Sequence, residues 1–319
     1  MSPGGQYGSQ KTSIPKNWTP VTKVKQLFVY PLKSGRRREV AKAQCTERGL
    51  VFTENNVELK DRYFIVYGEG HHEFKTARTN PKLIQIQTNI NTTGDVVFTA
   101  PNQTPLIVNL PDPKNKPAIV TIHQKAPVES LDCGDEASAW FSHYLLEKPS
   151  GARLGYYRPQ FKRNIKKQFP KLFDGYNKLR IDSVGIYSDL TSYLLINEAS
   201  MDTLNSNLEE PVSHNNFRPN ILVDGKNLEG YTEENWDWVR VGDAIFKNVK
   251  PCTRCILTTV DPERGVLSKQ REPLKTLERT NQLKQQAHIS AEGKKGVMGI
   301  HLELWKPGEI RIGDEVFIA

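Results

Sequence analysis

Short runs of β-branched and aromatic residues, separated by glycine, asparagine, aspartate and proline, constrain the fold of this chain more than any other feature. Such runs are typical of strands, because these side chains pack well on a pleated surface. The first set occupies residues 21–29, 63–67, 83–88, 96–100 and 118–123. Its close spacing favours an antiparallel sheet or barrel over alternating strand–helix units. Further strands are expected at 219–224, 243–248, 256–260, 297–304 and 310–318.

Three helices are expected between these strands. The first follows Asp132 and Gly134, either of which could cap it, and its apolar residues recur at helical spacing on one face. The second spans 198–208 with Asn197 as cap, and the third spans 273–284. The segment between the first two helices is basic, poorly periodic and interpreted as loop.

Residues 240–246 and 311–317 resemble each other, and both predict a strand, a Gly-Asp turn and a second strand. Two explanations stay open. The segments are either independent tight hairpins, or they close corners of one small barrel.

The composition predicts a water-soluble protein with a packed core. Apolar residues make up 37% and charged residues 25% of the 319 positions, which leaves room for one large domain or two smaller ones. No stretch approaches the ~20 consecutive apolar residues of a membrane-spanning helix. Residues 1–20 are interpreted as a flexible leader, and the four cysteines favour a reducing compartment over a disulfide framework.

The net charge of +8 favours anionic partners, such as a phosphate-bearing cofactor, an acidic protein, a membrane surface or nucleic acid. Residues 153–180 contain nine basic residues against the single acid Asp174, and a second basic cluster is formed by Lys33, Arg36, Arg37 and Arg38. The alternative is a solvated basic surface without a partner.

Cys252 and Cys255 form the most reactive-looking motif, CTRC. Zinc would need two further ligands at matched spacing, and a thioredoxin-like dithiol would begin a helix, whereas 256–260 is predicted as a strand. Arg254 between the thiols favours a thiolate, which suits a single-thiolate ligand to a soft, high-valent metal. Two unreactive core cysteines remain the alternative.

Three further motifs carry groups suited to anion binding. Lys33 and Ser34 follow the first strand in PLKSG, and Arg218 precedes a strand in NFRPN. Asp189 and Thr191 supply a carboxylate and a hydroxyl before the second helix. Each motif alone is more often a turn than a site.

These motifs occur together, in order, in one family. Through NFRPNI (216–221), CTRCILTTVDP (252–262) and EPL (272–274), the chain resembles the mitochondrial amidoxime reducing components, which are molybdenum enzymes. The resemblance implies an α+β, β-rich fold, with an antiparallel β-barrel MOSC domain, an N-terminal β-barrel-type module and a few packed helices. It places the module at 21–150 and the MOSC domain at 151–319, after the leader at 1–20.

The resemblance also assigns site residues. Cys255 matches the thiolate ligand of molybdenum, and Asp189 matches a second residue of the catalytic centre. Contacts to the molybdenum–molybdopterin cofactor are implied for Lys33, Ser34, Arg62, Asp189, Thr191, Arg218, Thr253, Arg254 and Cys255. The chain departs from the family where it has Thr191-Ser192-Tyr193 in place of Ser-Pro-Phe.

The implied activity is the reduction of amidoximes and hydroxylamines to amidines and amines. Electrons would come from NADH through cytochrome b5 reductase and cytochrome b5. The implied location is the cytosolic face of the mitochondrial outer membrane, with membrane attachment only through an anchor upstream of this sequence. A sulfur carrier, or a cofactor-binding module that uses the cysteine thiolate, is the main alternative. No nucleic-acid partner is expected.

Overall fold

The computed structural model describes residues 13–158, 160–180 and 185–319, so most of the predicted leader lies outside the described residues. The strands are β1 (Thr19–Val29), β2 (Arg38–Val40), β3 (Lys42–Thr46), β4 (Gly49–Glu54), β5 (Val57–Lys60), β6 (Phe64–Gly68), β7 (Gln87–Ile90), β8 (Val96–Thr99), β9 (Leu106–Val108), β10 (Ala118–Ile122), β11 (Ala126–Asp132), β12 (Ala152–Tyr157), β13 (Tyr193–Asn197), β14 (Ile221–Val223), β15 (Trp238–Val241), β16 (Ala244–Thr253), β17 (Val260–Asp261), β18 (Val266–Leu267), β19 (Val297–Lys306), β20 (Gly308–Arg311) and β21 (Glu315–Ile318). The α-helices are α1 (Asp135–Leu146), α2 (Ile165–Gln168), α3 (Pro170–Gly175), α4 (Glu198–Asn205), α5 (Leu274–Thr280) and α6 (Gln286–Glu292).

In the part of the chain that the structure describes, seven strands close into a barrel, in the order β14, β13, β19, β16, β15, β21 and β1, and β1 then pairs with β14. Side chains of β1 alternate between two faces, so the strand contributes to two apolar clusters. Leu27 and Val29 point into the barrel core, while Phe28 and Tyr30 join a second apolar cluster outside it. The β-rich, barrel-based fold is therefore confirmed.

Four smaller sheets accompany the barrel in the described residues. They run β10-β11-β12-β6, β20-β3-β4-β5, β7-β8-β9 and β17-β18, and α1 packs against β12. Five strand pairings cross the proposed boundary at residue 150 within the described residues. β1 pairs with β14 and β21 of the barrel, β12 pairs with β6 and β11, and β20 pairs with β3. The division into two domains at that residue stays a proposal.

The two similar segments make different connections to the barrel. Residues 240–246 form the β15–β16 hairpin, whereas β20 pairs with β3 and β21 pairs with β1 and β15. The second segment is thus a corner between two sheets. The turns lie against each other, since a Cβ atom at Gly242 (φ 50°) would stand 2.8 Å from Asp314 Oδ2.

Three local predictions were wrong. Residues 83–88 begin as a 3₁₀ helix (Pro81–Gln85), because a proline at the first position favours a helical turn. Residues 256–260 are also a 3₁₀ helix (Ile256–Thr259), with the Cys255 carbonyl accepting from the backbone and hydroxyl of Thr258. The basic segment contains α2 and α3, because Asn164 caps α2 at the Lys167 amide and Pro170 begins α3.

The predicted helices are confirmed with shifted ends. Asn197 caps α4 at the amide of Ala199, while α1 begins after Gly134, whose amide donates to the Asp132 carboxylate. No helix among the described residues is long and apolar enough to cross a bilayer.

Candidate functional site

A pocket of about 340 Å³ is lined by side chains from both halves of the chain. Its wall includes every residue that the resemblance assigns to a cofactor, namely Lys33, Ser34, Arg62, Asp189, Thr191, Arg218, Thr253, Arg254 and Cys255. These residues come from the turns after β1 and β5, the segments before β13 and β14, and the end of β16. The structure brings them together, and their binding of a cofactor stays a prediction.

Lys33 and Asp189 form an ion pair in the pocket wall. Lys33 is 6% exposed, and its Nζ donates to Asp189 Oδ1 at 2.5 Å and to the Tyr187 carbonyl at 2.6 Å. Burial lowers the pKa of Lys33 to about 8, because desolvation outweighs the attraction of the carboxylate. The lysine is therefore close to its titration point at neutral pH.

The carboxylate of Asp189 is shared by two further groups. Arg78 Nη2 donates to Oδ2 at 2.8 Å, and His123 Nε2 lies 3.1 Å from Oδ1. Burial acts to raise the pKa of Asp189, but Lys33, His123 and Arg78 outweigh it and hold the pKa well below its usual range. Burial also lowers the pKa of His123, so the imidazole is neutral at neutral pH, and Arg78 Nη2 lies 3.2 Å from the same Nε2.

Arg62 and Arg218 both lie over the ring of Tyr30, at 5.1 and 4.3 Å from its centroid. Arg62 pairs with the buried carboxylate of Asp61. Arg218 is 7% exposed and donates from Nη1 to the Gly35 carbonyl at 2.7 Å.

Arg218 has one donor to spare. Its Nη2 is buried and has no hydrogen-bond partner among the described residues. Burial lowers the pKa of Arg218 to about 10, which still leaves the guanidinium charged at neutral pH. Buried polar groups are normally hydrogen-bonded, so a charged, unsatisfied donor at a pocket indicates an anionic ligand.

The paired cysteines have different surroundings. Cys252 is 5% exposed within the apolar cluster of Phe28 and Phe217, and burial raises its pKa. Cys255 is exposed and opens on the pocket. The bulged register of β16 around residues 251–253 contributes to this difference, because a bulge redirects the side chains that follow it.

Arg254 supports the segment between these thiols. Its guanidinium donates to the carbonyl of Met298 at 2.7 and 3.0 Å and to the carbonyl of Phe217 at 3.0 Å. The cation is thereby fixed beside Cys255 in the pocket wall.

This arrangement favours the single-thiolate interpretation over the other three. A zinc site or a redox dithiol needs both sulfurs accessible at one centre. Both cysteines border the pocket, but Cys252 is buried within the apolar cluster and Cys255 is exposed. Across residues 13–158, 160–180 and 185–319, no group of three or more His, Cys, Asp or Glu side chains is arranged to hold a metal ion. Exposure of Cys255 also distinguishes it from an unreactive core cysteine.

The hydroxyls of Thr191 and Thr253 are held by groups that sequence reasoning missed. Thr191 Oγ1 lies 2.9 Å from Nδ1 of His301, a ring that burial keeps neutral by lowering its pKa well below the usual range. Thr253 Oγ1 donates to Glu292 at 2.8 Å, and the same carboxylate pairs with the buried Lys250 at 2.8 Å.

Other pocket residues were also not predicted, and they include Thr76, Arg78, His123, Lys250, Glu292, Lys295 and His301. Each is an isolated polar residue in sequence, without motif or spacing. Only the fold places them beside the predicted residues.

The chain matches two known domain families. The MOSC N-terminal beta barrel domain family matches residues 21–148, and the MOSC domain family matches residues 183–317. "Mitochondrial amidoxime-reducing component 1" of Mus musculus is 34% identical over 92% of this chain and 82% of its own length, and its Homo sapiens counterpart is 33% identical with the same coverage. "Mitochondrial amidoxime reducing component 2" of Homo sapiens is 32% identical, also with that coverage. The chain therefore belongs to the family of mitochondrial amidoxime-reducing components.

Proposed function

We propose that this protein binds a molybdenum–molybdopterin cofactor and reduces N-hydroxylated substrates, such as amidoximes and hydroxylamines, to amidines and amines. One observation carries the proposal: the exposed thiol of Cys255 shares a pocket with the unsatisfied, buried guanidinium donor of Arg218. Such a cofactor requires two things of its protein, a thiolate to bind the metal and cationic groups to bind the phosphate. The names of the relatives supply the substrate class.

The residues present fit this cofactor. Arg218, Arg62 and Lys33 would bind the pterin phosphate, since arginine pairs well with phosphate and all three line the pocket. Ser34 adds a hydroxyl, and Cys255 would be the thiolate ligand of the metal. When bound, the cofactor supplies the two-electron chemistry.

The overall reaction consumes two electrons and two protons. The N–O bond breaks, the hydroxyl oxygen takes one proton and leaves as water, and the nitrogen takes the other proton in a new N–H bond. Lys33, whose pKa burial lowers to about 8, and His123, whose pKa burial also lowers, lie beside Asp189 and border the pocket. Asp189 keeps them oriented, while Arg254 adds positive charge beside Cys255, which stabilises developing negative charge.

The experiment that tests this function measures molybdenum and pterin in the purified protein, together with benzamidoxime reduction by a small artificial reductant. We expect about one metal and one pterin per chain and formation of benzamidine. A sulfur carrier needs no stoichiometric metal, so persulfide at Cys255 in metal-free protein would favour that alternative and contradict the reductase.

The proposed electron donor is cytochrome b5, reduced by NADH through its reductase. Its docking surface would come from the two basic clusters, residues 153–180 and 33–38, but several of their arginines already have partners. Arg36, Arg37 and Arg38 each pair with a glutamate, and Arg153 and Arg158 also pair with acids. Four exposed lysines on or beside α2 and α3 have no ion-pair partner among the described residues: Lys162, Lys166, Lys167 and Lys171. Phe169 and Leu172 of the same segment line the pocket, so a partner docked there lies close to it.

We expect cytochrome b5-driven activity to fall with rising salt, because long-range steering of an acidic partner is screened. Activity with reduced methyl viologen should change little. Charge reversal in the Lys166→Glu/Lys167→Glu double variant should lower kcat/KM for cytochrome b5 by about 10-fold. Steady-state kinetics with both donors measure this effect.

Lys226→Glu, an exposed lysine after β14, is the matched control and should leave both activities unchanged. Equal salt dependence for the two donors would contradict docking at α2 and α3.

The relatives' names also support a mitochondrial location, which we propose to be the cytosolic face of the outer membrane.

A further inference from the structure

The segment 162–168 carries two different sets of side chains. Lys162, Lys166 and Lys167 are exposed, as a docking surface requires. Arg163 and Gln168 are buried, with 6% and 7% exposure. A buried arginine is costly unless its donors are satisfied. Both Nη atoms of Arg163 have partners, while its Nε has none among the described residues, so the Nη contacts show what this segment supports.

Arg163 holds the chain that leads to Asp189. Its Nη1 donates to the carbonyls of Ile186 at 3.0 Å and Ser188 at 2.6 Å, with a longer contact to Gly185 at 3.3 Å. Three backbone carbonyls of the segment just before Asp189 thus accept from one guanidinium nitrogen. A lysine in this place could not reproduce the planar fork that also reaches Gln168.

Gln168 extends the contact to the other side of Asp189. Its Oε1 accepts from Arg163 Nη2 at 2.7 Å, and its Nε2 donates to the backbone carbonyl of His123 at 2.8 Å. The imidazole of His123 in turn lies 3.1 Å from Asp189 Oδ1. The two buried side chains therefore hold both the segment that carries Asp189 and one of its partners.

We infer that Arg163 and Gln168 form a clamp that positions Asp189 against Lys33 and His123, and that they are positioning residues for the reaction. The two clamp residues lie in the same short segment as the exposed lysines Lys162, Lys166 and Lys167. This inference rests on the proposed function only for its kinetic test, because hydrogen exchange measures the rigidity of residues 185–189 without any activity.

The test compares Arg163→Lys with wild type by hydrogen exchange and by kinetics with the small reductant. Exchange in the peptide covering residues 185–190 should rise about 10-fold, because charge-assisted hydrogen bonds that limit local opening are lost. With cofactor content unchanged, kcat should fall by about 10- to 100-fold and KM by no more than about twofold, as expected for misplacement of a reacting-site group.

Arg158→Lys is the matched control, since Arg158 belongs to the same basic run but pairs with Glu129 outside the pocket. Gln168→Ala removes the link to His123 and the partner of Arg163 Nη2, but it leaves the carbonyl contacts of Arg163 Nη1. It serves if Arg163→Lys does not fold, and it should produce a smaller change of the same kind. Wild-type exchange in residues 185–190 and wild-type kcat in a folded clamp variant would overturn the inference. Equal effects in Arg158→Lys would also overturn it.

Discussion

Replacement of Cys255 by alanine is expected to reduce N-reductase activity to the limit of detection while the protein stays folded. A metal ligand must present its sulfur as a thiolate, and no other cysteine among the described residues is exposed in the pocket. Because the side chain is exposed, its removal costs little stability. The measurements are benzamidoxime turnover, thermal unfolding and metal content of the same preparations.

Cys252→Ala is the matched control. Its sulfur packs in an apolar cluster, so its removal should lower stability by about 1 kcal/mol and leave most activity intact. A zinc site or a redox dithiol requires both cysteines, and both interpretations predict similar losses in the two variants. Equivalent loss of activity at equal stability would therefore contradict the single-thiolate assignment. Full activity in Cys255→Ala would contradict the molybdenum mechanism itself.

Arg218→Ala should give folded protein that is largely free of cofactor. The variant removes a buried charge with an unsatisfied donor, but it also loses the hydrogen bond to the Gly35 carbonyl and the contact with Tyr30, so we expect a moderate loss of stability in a protein that still folds. A lost charge-assisted hydrogen bond to phosphate costs about 1.5–3 kcal/mol, which corresponds to roughly 10- to 100-fold weaker binding. Pterin and molybdenum analysis, with circular dichroism and thermal unfolding, checks both expectations.

Arg62→Ala should lower cofactor content as well, but at a greater cost in stability, because it leaves the buried Asp61 without its cation. Arg240→Ala is a suitable control, since this arginine stacks on Phe317 at 4.1 Å and does not line the pocket. Wild-type pterin content in both pocket variants would show that these arginines do not bind the phosphate.

Local sequence determined most of the regular structure. β1, β6, β8, β10 and β19 lie where runs of branched and aromatic residues predict strands, and Asn197 caps α4 as expected. These elements follow from side-chain shape and short-range hydrogen bonds. Where the prediction was wrong, as at residues 256–259, nearby polar groups satisfied the backbone in a 3₁₀ turn, although the residue types favour a strand.

The nine predicted site residues came from motifs and from their order in a family, and the fold places all of them at one pocket. What these side chains do there depends on tertiary contacts. Sequence showed Lys33 and Asp189 as two separate polar residues, while the structure pairs them 156 positions apart and adds Arg78 and His123. Isolated residues without spacing carry no local signal for such a cluster.

The basic segment shows the same distinction between composition and structure. The sequence by itself determined its charge, but only the fold decided that Arg163 is buried against backbone carbonyls while Lys166 and Lys167 stay exposed. Likewise, the sequence determined that two residues separate Cys252 from Cys255, whereas the fold buries the first sulfur in an apolar cluster and exposes the second at the pocket, next to the bulged end of β16. Residue type and local spacing are properties of the chain, whereas burial and partners depend on which distant strands pack together.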